Sequence, residues 1–126
     1  MKQALKGPNS RQQLGSAGEL LAAEDLLRRG YSNIMRNVRT PHGQIDLIAH
    51  DGSETVFVEV KTRRNQNFGG AAAAITSRVK LRLIHSAREY LLLTGCEDIP
   101  WRIDIVCVTL AGPTPQIELF QNAVSE

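Results

Sequence analysis

The chain has 126 residues, 42% of them hydrophobic and 22% charged, and its 15 Lys and Arg against 13 Asp and Glu leave a formal net charge of +2. That length suits one globular domain burying roughly two-thirds of its unfolded surface without staples, and the chain is too apolar and too weakly charged for intrinsic disorder. No apolar run approaches the roughly 20 residues of a membrane span and no signal-peptide-like stretch opens the chain, so a soluble cytoplasmic protein is the expectation.

The spacing predicts a first helix from Ser10, whose hydroxyl caps it with Gln13 closing a capping box, to a stop at Gly30. Leu14, Ala17, Leu20, Leu21, Ala23, Leu26 and Leu27 form its apolar face, and Arg28 and Arg29 suit the negative end of the dipole. One residue interrupts the pattern. Glu19 lies seven positions before Leu26 and three or four before Ala22 and Ala23, which sets a carboxylate on a largely apolar stripe.

After Tyr31 the pattern turns to strands: Ile34 to Arg39, a turn at Pro41, His42 and Gly43, and a period-two run from Gln44 to His50. In that run Ile45, Leu47 and Ala49 share one face, and Gln44, Asp46, Ile48 and His50 the other. A turn at Asp51 to Glu54 leads into Thr55 to Lys61, with Val56, Val58 and Val60 on one face and Phe57, Glu59 and Lys61 on the opposite one. With a four-residue loop the paired positions sum to 105 and set Asp46 opposite Glu59 and Gln44 opposite Lys61; a two-residue loop gives 103 and pairs Glu59 with Gln44. Either register gathers Asp46, Glu59 and Lys61 on one face, where paired carboxylates repel and a cation is required nearby.

Residues 62 to 70 read as a basic, mobile loop, and the first ten residues as flexible. A second helix follows, with Val79, Leu83, Ile84, Ala87, Tyr90 and Leu91 as its core stripe, Arg78, Arg82 and His85 on another face, and Gly95 as the stop. Trp101 to Val108 is a further strand with Asp104 inside it, where a hydrogen-bonded structural carboxylate is expected, and Ile117 to Phe120 is a last short strand. Cys96 and Cys107 match no zinc spacing, and reduced thiols are expected.

A carboxylate on one strand, a Glu-x-Lys on its neighbour and a helical Glu earlier in the chain form a set suited to phosphodiester hydrolysis. Hard divalent cations take oxygen ligands, usually one or two protein carboxylates with waters and substrate phosphate. Such a cation acidifies water and neutralises charge developing on the phosphate. A lysine two residues from a ligating carboxylate projects from the same strand face and can orient the attacking water.

These residues carry a resemblance. Gly15, Gly18-Glu19, Gly30-Tyr31, Arg36-Asn37, the run Gly43 to Ala49, the run Phe57 to Arg63, Phe68-Gly69, Lys80, Arg82-Leu83, Ala87, Tyr90-Leu91 and Arg102-Ile103-Asp104 resemble the YraN-like family of small uncharacterised bacterial proteins across nearly the whole chain. That family is similar to the Holliday-junction-resolvase branch of the PD-(D/E)XK nuclease superfamily. The resemblance implies a restriction-endonuclease-like α/β fold, a mixed β-sheet flanked by helices, and Mg²⁺- or Mn²⁺-dependent cleavage of DNA, branched DNA included. It implies Asp46 and Glu59 as metal ligands, Lys61 as the catalytic lysine, Glu19 as an accessory carboxylate and Lys80 as a substrate-facing residue. Two positions depart from the pattern. Ile45 replaces the proline of the superfamily motif, and Gln44 stands where the family usually carries Glu, so that position accepts hydrogen bonds but adds no charge.

Arg63, Arg64, Arg78, Lys80 and Arg82 are the candidate phosphate contacts, which position nucleic acid without reading bases. Counted by segment, residues 1–40 carry +4, 41–60 carry −4, 61–90 carry +6 and 91–126 carry −4. The small total thus conceals an acidic hairpin followed at once by the densest basic segment. Two other classes fit the same residues: a non-catalytic nucleic-acid-binding module on this fold, and an adaptor that binds protein. A homodimer would suit symmetric cleavage of two strands, although no sequence feature specifies an interface.

Overall fold

The computed structural model describes residues 10–65 and 75–125, of residues 10–12 the backbone alone. Helix α1 spans Ser10–Arg28, β1 Ser32–Thr40, β2 Gly43–Asp51, β3 Glu54–Arg63, α2 Ser77–Thr94, β4 Trp101–Thr109 and β5 Gln116–Val124. The five strands form one mixed sheet in the order β1-β2-β3-β4-β5. Hairpins join β1 to β2 and β2 to β3, β3 pairs parallel with β4, and β5 returns antiparallel. A parallel pair needs a long crossover, and α2 lies on it. This mixed α/β arrangement, a five-stranded sheet with two helices, matches the expected fold class.

The helices pack on opposite faces. Ala22, Ala23 and Leu26 of α1, with Tyr31, bury against Leu47, Ala49, Val56, Val58, Val106 and Val108. Leu83, Ala87 and Leu91 of α2 bury against Ile45, Ile48, Phe57, Ile103, Ile105, Cys107 and Val124. Covered on both faces, β3 and β4 read as nearly continuous apolar runs. Helix α2 is capped by Thr76, whose side chain accepts from the Val79 N–H at 3.2 Å, and it ends at Gly95, left-handed at φ 70°.

Several expectations need correction. Leu20 and Leu27 are 50% and 57% exposed, so the apolar side of α1 turns further toward Gly18, Ala22, Ala23 and Leu26. Strand β3 runs two residues past Lys61, because β4 supplies parallel partners for Thr62 and Arg63. That shortens the expected loop at 62–70; its part from 66 onward, the alanine run 71–74, residues 1–9 and the capping of Ser10 lie outside the described residues. Strand β5 continues to Val124, four residues beyond Phe120.

The β2–β3 hairpin has the register that sums to 105, but the ladder extends one step further than expected, to Asp51 opposite Glu54 across a Gly52-Ser53 turn. At its other end the ladder stops at Leu47 opposite Val58. The expected direct pairing of Asp46 with Glu59 is therefore absent from it. Alternation also breaks there: Ile45 packs with Ile48 beneath α2, three positions apart, while Leu47 and Ala49 pack beneath α1. On the neighbouring strand Asn37 takes a left-handed φ of 54°, between the pairs Arg36–Leu47 and Val38–Ile45. A short amide side chain tolerates that conformation.

Candidate active site at the open end of the sheet

The break in the ladder positions the site. Where β2 and β3 stop pairing, the Val60 N–H donates to Asp46 Oδ2 at 2.9 Å. A side chain thus takes the place of a ladder carbonyl, and Asp46 is held in the opening between the strands. Glu59 enters from β3, its side chain 5% exposed. Asp46 and Glu59 are close enough to share a hydrogen bond, and Glu19 from α1 adds its charge to both. The opening lies at the carboxyl end of the parallel pair β3–β4, the end at which open α/β sheets commonly hold ligands.

Burial, and then the neighbouring charge of Glu59, push the Asp46 carboxyl up to about 7, against which the bond from Val60 N–H works. Glu19 is raised in the same direction, first by burial, while Arg36 and a hydrogen bond from Asn37 oppose the shift. The cations required beside these carboxylates are present. Lys61 Nζ lies 3.2 Å and Arg82 Nη2 3.0 Å from Glu59 Oε2, and Arg36 Nη2 lies 3.8 Å from Glu19 Oε1.

Glu19 reaches the site because α1 comes unusually close to the sheet one residue earlier. A Cβ on Gly18 would sit 1.8 Å from Thr62 Oγ1 and 2.8 Å from Thr62 Cβ, so only glycine permits this contact. The helical Glu on an apolar stripe is explained: it looks across the end of β3 into the carboxylate cluster.

A match to a family model covers residues 18–108, and its description is uncharacterised protein family UPF0102. The chain belongs to that family. It is similar to a UPF0102 protein of Dehalococcoides mccartyi, 44% identical over 117 residues that cover 93% of this chain and 97% of the relative. A UPF0102 protein of Symbiobacterium thermophilum is 47% identical over 112 residues, covering 87% and 94%. One from Desulfosudis oleivorans is 40% identical over 115 residues, covering 91% and 92%. Family membership thus agrees with the motifs from Gly18-Glu19 to Arg102-Ile103-Asp104.

Within this UPF0102 chain the structure brings Glu19, Asp46, Glu59, Lys61 and Arg82 together. Arg63 instead donates through Nε to Thr109 Oγ1 at 3.2 Å, which ties β3 to β4, while Arg64, Arg78 and Lys80 are exposed. Residues beyond the expected set complete the site. Gln44 Nε2 donates to Asn37 Oδ1 at 2.8 Å, and Asn37 hydrogen-bonds Glu19. The amide at 44 therefore serves as a link from β2 through β1 to the helical carboxylate, a donor role no carboxylate can fill. Arg36 and Asn37 stood in the motif without an assigned role, and only the fold shows that β1 brings them against Glu19.

A second polar cluster lies at the opposite end of the sheet. Asp104, fully buried, accepts from Tyr31 Oη at 2.8 Å, Arg102 Nε at 2.9 Å and the Asn122 N–H at 2.9 Å. Arg102 also donates to Asp51 at 2.8 Å and Glu54 at 2.5 Å. Burial works against its charge, but the carboxylates outweigh burial and raise its pKa further. This network ties the hairpin turn, the exit of α1, β4 and β5 together, so Asp104 is the structural carboxylate the sequence suggested. Cys96 and Cys107 are both free. Among the described residues no helix is long and apolar enough to cross a membrane.

Proposed function

We propose that this protein is a divalent-metal-dependent phosphodiester hydrolase acting on DNA, as the similarity of its motifs to the PD-(D/E)XK nucleases implies. The observation that carries this reading is the convergence of Asp46, Glu59 and Glu19, from two strands and a helix, in one partly buried opening beside Lys61. Forcing carboxylates together costs stability, and such an arrangement suits a site built to receive positive charge.

The donor chemistry fits Mg²⁺ or Mn²⁺. Among the described residues no group of three or more His, Cys, Asp and Glu side chains is disposed to hold an ion. Asp46 and Glu59 offer two carboxylates, the number such hard cations take when waters and phosphate complete the shell. The cation would supply Lewis acidity to water and neutralise charge on the phosphate. Lys61, 36% exposed and fixed on the Glu59 face of β3, would orient the attacking water and face the scissile phosphate. Glu19, linked to Arg36 and Asn37, would accept a proton from that water or hold a water in place. The exposed Arg64, Arg78 and Lys80 would contact phosphates on either side.

One observation favours a second reading. Glu59 is already paired with two cations, so the fold tolerates the site without a metal, as a non-catalytic nucleic-acid-binding module would. Incubation with linear, single-stranded and four-way-junction DNA in Mn²⁺ separates the two. Chelator-sensitive cleavage supports the hydrolase; salt-sensitive binding without cleavage supports the module; absence of both rejects each.

A further inference from the structure

Arg82 is committed to the carboxylate site rather than to the surface expected of a phosphate contact. From the second turn of α2 its stem passes over Gly43, where a Cβ would lie 3.5 Å from Arg82 Cδ. Its Nη2 donates to Glu59 Oε2 at 3.0 Å and its Nη1 to the Gln44 carbonyl at 3.4 Å. The same Glu59 oxygen holds Lys61 Nζ at 3.2 Å. Two cations therefore crowd one carboxylate oxygen. Both are about one-third exposed, but they differ in anchorage: Lys61 sits two residues along the same strand, whereas Arg82 reaches Glu59 from a separate helix.

We infer that Arg82 is the resident counter-ion of Glu59 in the metal-free protein and passes from that carboxylate to a phosphate oxygen of the nucleic acid when the site holds a divalent cation. The inference rests on the proposed metal site and assigns its regulation. Three positive groups around Glu59 repel one another, and of the two side-chain cations, equally open to solvent, Arg82 is the one anchored on a separate element. A guanidinium presents a fork of donors that suits phosphate as well as carboxylate, so the exchange replaces one charge-assisted bond by another. Such a residue offsets carboxylate charge in the metal-free site and contributes to substrate binding only once the site is loaded.

The test is Mn²⁺ binding by calorimetry on the full chain, wild type beside Arg82→Gln and Arg82→Lys, with cooperative melting as the check of fold. Loss of the competing charge should tighten Mn²⁺ binding by Arg82→Gln about tenfold, and Arg82→Lys should bind as wild type does. For duplex DNA in Ca²⁺, the salt dependence of binding should fall by about one phosphate contact in Arg82→Gln, with no change in chelator. A purely structural arginine would weaken Mn²⁺ binding instead. Unchanged or weaker Mn²⁺ binding by Arg82→Gln, or an equal salt effect with and without the cation, overturns the inference alone. Absence of Mn²⁺ binding by the wild type overturns the metal site and this inference with it. A wild-type measurement guards against a variant that fails to fold. In ¹⁵N-arginine spectra the protected Arg82 guanidinium signals present in chelator should be lost on adding Mg²⁺, and their persistence overturns the exchange.

Discussion

Replacing Asp46 by Asn should make the metal-free protein more stable at neutral pH, an unusual result for a residue at the centre of a site. In the folded chain burial, and then Glu59, push the Asp46 carboxyl up to about 7 from its ordinary 3.8. Between those values the folded state holds a proton that the unfolded state has released, so stability must fall as pH rises through that window. The difference corresponds to about 4 kcal/mol lost between pH 4 and 7, as an upper bound. An asparagine cannot ionise, can still accept from the Val60 N–H and can donate to Glu59. Urea titrations in chelator from pH 5 to 8 should show the wild type losing stability with pH and Asp46→Asn losing much less. The curves should separate by about 2–4 kcal/mol at pH 8. Saturating Mn²⁺ should close the gap from the wild-type side, by about 3 kcal/mol at a hundred times the dissociation constant. Parallel stability curves for the two proteins across this range would refute the picture of a carboxylate strained by its neighbours.

Other outcomes follow from named contacts. Gly18→Ala should cost about 1–3 kcal/mol by overpacking against Thr62, and in the same protein cleavage should fall because Glu19 moves with the helix; an unchanged melting temperature would contradict the close approach. Arg102→Ala leaves Asp104 buried without its cation and should cost about 3–5 kcal/mol in denaturant titrations, while Mn²⁺ affinity measured on the remaining folded protein stays at the wild-type level. Replacing Arg78 and Lys80 together by Ala should lower the salt dependence of DNA binding by about two contacts; an unchanged slope would remove them from the interface.

How much of this was legible in sequence depends on what each residue's signal measures. The period of 3.6 placed both helices, and Gly30 and Gly95 marked their ends, because caps are local. Alternation placed β2 and β3, but the hairpin allowed register sums of 105 and 103, and only the structure selects the first. What alternation could not report was its own failure at Asp46. That break depends on the left-handed Asn37 of a different strand and on a side chain that replaces a ladder carbonyl. Leu20 and Leu27 were misread for a related reason, since the buried side of α1 is set by the Gly18–Thr62 contact and not by the count of leucines. Glu19, Asp46, Glu59 and Lys61, which the structure brings together, each carried a sequence signal, the first as a carboxylate on an apolar stripe and the others as one face of a hairpin. Arg82 was read as a surface cation because charge on a helix defaults to solvent, and only the packing of α2 over Gly43 turns it inward. Arg36, Asn37 and the linking role of Gln44 had no signal beyond the motif itself, as their chemistry exists only once β1 lies beside α1.

The most direct test of the proposed hydrolase is the rate of Mn²⁺-dependent cleavage of a four-way-junction or linear duplex DNA by the wild type beside Glu59→Gln and Lys61→Ala. Cleavage by the wild type that stops in chelator and falls at least about a hundredfold in each variant, with both variants folded, is the predicted result. Cleavage that persists in chelator, or survives both substitutions, would contradict it.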